Sequence, residues 1–102
     1  MLQKLLVKVD ELKASDLYIS VGLPATIKLN GRLESLTKKD LNNEEVFSLL
    51  KEAMGESRFA DFQQTKEANY AVNSDEAGRF RISAFMQKEE PGMVIRRIEG
   101  NI

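Results

Sequence analysis

Apolar residues recur at steps of three and four through the first positions of the chain. Leu2, Leu5, Leu6, Val9 and Leu12 stack on one side of a helix and leave Lys4, Lys8, Asp10 and Glu11 to water. The spacing predicts a helix from Leu2 to Ala14. The period then shortens to two, with Leu17, Ile19 and Val21 alternating against Asp16, Tyr18 and Ser20 as in a strand, until Gly22 and Pro24 break the run. In TIKLNGRLES, Asn30-Gly31 separates two short alternating runs and favours the positive φ angles of a two-residue hairpin turn.

The segment LNNEEVFSLLKEAMG predicts a second helix. Asn42 serves as N-cap with Glu45 three residues on, acids sit at the positive helix end, and Gly55 is the stop. Val46, Leu49, Leu50 and Ala53 form its buried stripe. A short third helix, ESRFADFQQ, follows almost without a linker and carries Phe59 and Phe62, so the two helices are expected as one angled pair. ANYAVN, RFRISAFMQ and MVIRRI then read as three strands joined by the turns NSDEAG and KEEPG. The predicted order is α-β-β-β-α-α-β-β-β. Such an order implies an α+β fold: a mainly antiparallel sheet of about six strands, with the N-terminal helix and the central helix pair packed on it.

No repeat, low-complexity tract or linker divides the 102 residues, so 1–102 is read as one domain. The ending IRRIEGNI closes no sheet, and the polypeptide is expected to continue. Lys and Arg number 15 against 16 Asp and Glu, which excludes the broad basic field of a generic nucleic-acid protein; any anion site must be local. The absence of Cys and His removes thiolates, disulfides, the usual zinc ligands and the commonest general base. No metal site and no catalytic residue is therefore assigned. MLQKLLVKVDELKASD has no long apolar core, so it reads as neither signal peptide nor membrane span, and the chain as soluble and cytoplasmic.

Against this near-neutral background, GRFRISAFMQKEEPGMVIRRIE places two arginine pairs on neighbouring strands. Closing the last hairpin between Gln87 and Gly92 sets Arg96 opposite Ser83 and Ile98 opposite Arg81. Arg81 and Arg96 then share a face one diagonal step apart, and Phe80, Ile82, Ala84, Met86, Met93 and Ile95 take the other. Two readings are open at this point. Arginines on a sheet can lay their stems on apolar neighbours and keep their heads in water. Alternatively, two cations converging without a nearby acid are relieved by an anion that joins them. A register slip of one residue would separate the pair.

The remaining polar candidates read as structural. Ser15-Asp16 looks like turn chemistry between helix and strand, and Glu89-Glu90 like a solvated hairpin tip. Tyr18 and Tyr70 read as core aromatics with wet hydroxyls. Neither G-x-x-x-x-G-K-[ST] nor G-x-G-x-x-G occurs, so the chain has no phosphate cradle of its own.

Taken together, ASDLYISVGLPATIKLNGRLESL, the helical pair, GRFRISAFMQ and GMVIRRIE make the chain resemble, over residues 14 to 99, the N-terminal domain of the type IV pilus retraction ATPases, the PilT/PilU branch of the secretion ATPase superfamily. The resemblance implies a PAS-like domain that precedes a RecA-like ATPase domain, the latter lying beyond Ile102. It implies a regulatory and coupling module of a hexameric motor that powers pilus retraction and twitching motility, not an enzyme by itself. ATP and Mg belong to the full-length parent.

The second arginine of R-F-R matches Arg81 and the arginine of V-[FIL]-R matches Arg96, which implies that both reach nucleotide phosphates held by the RecA-like domain. Arg79 and Arg97, placed on the opposite face, and Asp16 are left structural or inter-subunit roles. Implied partners are the chain's own ATPase domain, neighbouring subunits of a homo-hexamer, a paralogous retraction ATPase and the inner-membrane pilus platform. The implied location is the cytoplasmic side of the pilus base. Two features depart from the main retraction motor: Tyr18 stands where that branch commonly has His, and G-M-V-x-R-R-I looks more like PilU.

Two other functions compete. A free-standing PAS-like sensor or adaptor would bind a small ligand or protein partner, although Phe47, Met54, Phe59 and Phe62 are accounted for by core packing. A nucleic-acid module is opposed by the charge balance and by Glu89, Glu90 and Glu99.

Overall fold

The structure, a computed structural model, describes residues 1–98; Glu99 lies outside the described residues. Its elements run α1 (Leu2–Leu12), β1 (Asp16–Ser20), β2 (Thr26–Leu29), β3 (Arg32–Ser35), α2 (Asn43–Thr65), β4 (Glu67–Ser74), β5 (Gly78–Gln87) and β6 (Glu90–Ile98). The six strands form one sheet in the order β3-β2-β1-β6-β5-β4, every pairing antiparallel. The α+β, PAS-like expectation therefore holds.

Each element forms for a reason visible in its residues. In α1, Leu2, Leu5, Leu6 and Val9 are buried, and the helix ends at Lys13, whose φ of 59° turns the chain so that the Ala14 N–H reaches Val9 O at 3.0 Å. It stops short of the predicted Ala14. At the start of α2, Asn42 Oδ1 accepts from the Glu45 N–H at 2.8 Å, while Glu45 Oε1 accepts from the Asn42 N–H at 2.9 Å. This reciprocal cap satisfies two backbone donors that would otherwise be orphaned. Gly55, at φ 80° and ψ 169°, divides α2 into the expected pair of helical halves. Those angles belong to a region open essentially only to glycine.

The helices cover one sheet face, and the core lies between. Leu17, Ile19, Ile27, Phe80, Ile82, Met93 and Ile95 meet Val9, Val46, Leu49, Leu50 and Phe62. The Met1 ammonium and the Leu2 N–H both reach the Glu52 carboxylate, the latter at 3.0 Å, tying the start of α1 to α2. No helix among the described residues is long and apolar enough to cross a membrane.

The last hairpin differs from expectation. Its turn is Lys88-Glu89 alone, with φ of 52° and 65°, and Gln87 pairs with Glu90. Pro91 and Gly92 belong to β6 and not to the loop. Pro91 is tolerated because it faces Met86 in a pair that does not exchange backbone hydrogen bonds. The Met86 N–H instead points the other way, to Lys66 O at 3.0 Å. Gly92 is needed because the Phe85 ring crosses it: a Cβ there would lie 2.9 Å from Phe85 Cε2 and 3.3 Å from Ile19 O.

Tyr70 on β4 corrects a second expectation. Its hydroxyl is buried and has no hydrogen-bond partner among the described residues, while Arg58 lies over its ring at 4.4 Å. Burial pushes the phenol up to about 12 from its ordinary 10.0, against an opposing pull from the Arg58 charge. Because the folded value exceeds the unfolded one, the stability linked to this proton is complete below pH 10 and is lost as pH rises through about 12. Tyr70→Phe is therefore expected to gain about 1 kcal/mol at neutral pH by removing an unsatisfied hydroxyl. It should also lose less stability than the parent between pH 10 and 12, as read from urea midpoints on either side of pH 10.

Candidate functional site

The sheet face opposite the helices is uncovered among the described residues, and the arginines gather there. Strand alternation sends Arg79, Arg81, Ser83 and Phe85 of β5 to this face, together with Val94, Arg96 and Ile98 of β6. Arg81 pairs directly with Arg96, not one step diagonally. The register is shifted by two residues from the sequence expectation, because the turn is tighter. A shift of two preserves every face, so the shared face survives. The pair exchanges backbone hydrogen bonds by its place in the ladder, which sets the two Cα atoms about 5.5 Å apart.

On the other side of β6, Asp16 of β1 pairs with Arg96, and Lys28 of β2 pairs with Asp16. One line across the sheet thus reads Leu33, Lys28, Asp16, Arg96, Arg81, Ala71. Asp16 is only 4% exposed, and among the described residues it is the one charged side chain that is buried. Its Oδ1 accepts from Arg96 Nε at 3.1 Å and its Oδ2 from Ser15 Oγ at 2.8 Å. The acid thought to be missing beside the arginine pair is therefore present, on the flank of Arg96 only. Arg81 has no hydrogen-bond or ion-pair partner among the described residues. Asp16 exceeds its turn reading: the Ser15 contact is local, but the Arg96 contact spans 80 residues of sequence.

Two sequence placements need correction. Arg79, expected on the opposite face, lies on the same face as Arg81, as two residues separated by one on a strand must. Tyr18 is not a core aromatic; it is half-buried on the open face, where with Ser20, Leu23, Pro24, Thr26, Lys28 and Leu33 it lines a groove of about 440 Å³. Arg97 does lie on the helix side, where its Nε donates to Ala14 O at 2.9 Å and its N–H to Ser15 O at 2.9 Å. It fastens the α1–β1 connection to β6. Glu89 and Glu90 are exposed at the hairpin tip as expected.

Chemically, the line presents two guanidinium groups with only one carboxylate, on an open surface. Arginine stays charged and its planar fork matches the oxygens of phosphate or carboxylate, so the arrangement is suited to gripping an oxyanion. No cluster of three or more potential metal ligands of the His, Cys, Asp or Glu type occurs among the described residues. Lys28 and the buried carboxylate of Asp16 were absent from the sequence reading of the anion site. Their signal was the period-two placement of Asp16 and Lys28, usable only once β1 is known to lie beside β6.

No profile of a known family matches the chain. Among individual proteins, it is 42% identical over 100 residues to the type IV pilus ATPase PilU of Pseudomonas aeruginosa, covering 98% of this chain and 26% of that protein. It is 30% identical over 89 residues to the type IV pilus retractation ATPase PilT of the same organism, covering 87% of this chain and 26% of that protein. The chain thus spans about a quarter of the length of these relatives. Among solved structures, the pilus retraction motor PilT with bound ADP superimposes with a TM-score of 0.86 at 22% identity, over all of this chain and 30% of that one. The ATPase DotB of Legionella pneumophila gives 0.78 at 22% identity, over 97% of this chain and 29% of that one. These two likenesses bear on fold. With the two sequence relatives, they assign the chain to the PilT/PilU family of secretion ATPases, whose N-terminal domain it represents.

Proposed function

We propose that residues 1–102 form the N-terminal coupling domain of a motor ATPase that drives type IV pilus retraction, and that Arg81 and Arg96 contact the phosphates of a nucleotide held by a RecA-like domain elsewhere in the protein. The observation that carries this reading is the Asp16–Arg96–Arg81 line on the uncovered sheet face. It is a local cationic site in a chain of formal net charge −1, where a diffuse polyanion surface is excluded. The relationship to PilU and PilT supports the motor assignment, and the 42% identity to PilU agrees with the G-M-V-x-R-R-I ending.

In this reading ATP and Mg bind the RecA-like half, and six subunits form a ring at the cytoplasmic side of the pilus base. The ring works with a paralogous motor and the inner-membrane platform. The arginines close the two domains on ATP and release them after hydrolysis, a population shift driven by the difference in their contacts to the two nucleotide states. A ligand-sensing function has no comparable support, because Phe47, Phe59 and Phe62 pack ring against ring within the fold.

The test is ATP turnover, measured by phosphate release, from the full reading frame and from residues 1–102. Turnover is expected from the full frame alone, with a G-x-x-x-x-G-K-[ST] loop encoded downstream of Ile102. A stop codon directly after Ile102, or a downstream sequence without that loop, overturns the assignment.

A further inference from the structure

The face that carries the arginines also carries a feature that phosphate contact alone does not explain, the burial of Asp16. A carboxylate taken out of water is costly unless its oxygens are met by donors. Asp16 meets that demand asymmetrically: Ser15 Oγ–H satisfies Oδ2, and a single nitrogen of Arg96, Nε, satisfies Oδ1. An arginine paired for its own stability commonly turns its terminal fork to the carboxylate in a bidentate pair. Here the contact is made by Nε, while the Arg96 side chain remains 72% exposed.

We infer that Asp16, oriented by Ser15, is a positioning residue for Arg96. It grips Nε and thereby fixes the guanidinium plane with its terminal nitrogens presented to an oxyanion beside Arg81. This inference rests on the phosphate-contact reading of Arg96. The physical gain is preorganisation: a long, mobile arginine otherwise gives up rotamer entropy when it meets its ligand. The anchor is effective because the immobile partner is the buried one. Asp16 sits at the first position of β1, held by strand pairing on both sides, to Lys28 and to Arg96. Arg81 has no such holder among the described residues, so the two arginines are not equivalent. Arg96 is fixed in advance, and Arg81 is free to close.

The experiment is a double-mutant cycle in the full-length ATPase, with Asp16→Asn, Arg96→Ala and the combination, each read as kcat and KM for ATP. Asp16→Asn is expected to lower kcat/KM about tenfold, by analogy with the lower end of what losing an outer-shell partner costs at metal sites. Adding Asp16→Asn to Arg96→Ala is expected to produce no further loss, because Asp16 acts through Arg96. Additive losses would assign Asp16 a purely structural part and overturn the inference. Ser15→Ala supplies a milder perturbation should Asp16→Asn fail to fold; it is expected to lower kcat/KM in the same direction in the parent and to have no effect beside Arg96→Ala. The two readings fail differently. If Arg96→Ala itself leaves kcat/KM unchanged, the phosphate-contact reading falls. If Arg96→Ala impairs turnover while Asp16→Asn and Ser15→Ala match the parent, the positioning inference alone falls.

Discussion

Arg81→Ala in the full reading frame is expected, on the proposed phosphate contact, to lower kcat for ATP by about a hundredfold, the lower end of the scale seen when one donor to a developing oxyanion is removed. The melting temperature of residues 1–102 should hardly change. Arg81 is the cleaner of the two arginines to remove. It is exposed and has no hydrogen-bond or ion-pair partner among the described residues, so truncation deletes only a charge and a stem. Arg96→Ala should impair turnover similarly but also strip Asp16 of a donor. Leaving a buried carboxylate oxygen unmet costs about 1–3 kcal/mol, so a fall in melting temperature should accompany the loss of turnover.

Arg81→Lys separates charge from geometry. It keeps the cation but loses the fork, and an intermediate rate is expected if bidentate contact matters. The Cα atoms of Arg81 and Arg96 lie about 5.5 Å apart on adjacent strands, so two like charges share one patch of the open face. A bound polyanion relieves their repulsion, and added salt screens both the repulsion and its relief. Parent-like turnover from Arg81→Ala would overturn the proposed contact of this residue with nucleotide phosphates.

How much of this was legible in the sequence depends on how far apart in the chain the interacting residues lie. The α2 cap needed only Asn42 and Glu45, and the hairpin at Asn30-Gly31 only its own dipeptide, so local chemistry sufficed. The break at Gly55 was similarly local. The final hairpin was misjudged because Pro91-Gly92 looks like a turn, whereas Lys88 and Glu89 adopt positive φ without being glycine or asparagine. That error moved the register by two and cost nothing in facing, which is why Arg81 and Arg96 were still brought together.

Arg79 is different. Its placement beside Arg81 follows from strand alternation alone, and the signal was there to be used. The Asp16–Arg96 contact was not legible, because it depends on β1 lying next to β6, a pairing of opposite ends of the chain. A hairpin rule cannot supply that neighbour. The buried carboxylate was invisible for the same reason: Ser15-Asp16 is indistinguishable from an ordinary turn until the partner strand is known. Tyr70 was misread from the opposite direction, since nothing local shows whether a β-strand tyrosine reaches water.

Phe62→Ala is expected to destabilise residues 1–102 by about 3–5 kcal/mol, a large share of the roughly 5–15 kcal/mol that holds a domain of this size. The helical half after Gly55 is too short to stand on propensity, and isolated helices under about 12–15 residues are marginal in water. It must be held by what it buries, and Phe62, 1% exposed, is its one buried residue; Val46, Leu49, Leu50 and Met54 all precede Gly55. Phe59 helps from the side, with its ring 6.3 Å from that of Phe62 and 6.1 Å from that of Phe47. The Phe62 carbonyl also accepts the Lys66 N–H at 2.8 Å, closing the helix before β4 begins. Truncation should therefore loosen the second half of α2 before the sheet. Amides of residues 56–65 should gain more exchange than those of β5 and β6, and the melting temperature should drop by at least about 12 °C, taking 4–8 °C per kcal/mol for a domain of this length. Phe59→Ala, which removes a partly buried ring, should cost clearly less. Equal losses from the two substitutions, or uniform exchange across helix and sheet, would show that Phe62 is not the anchor of this half-helix.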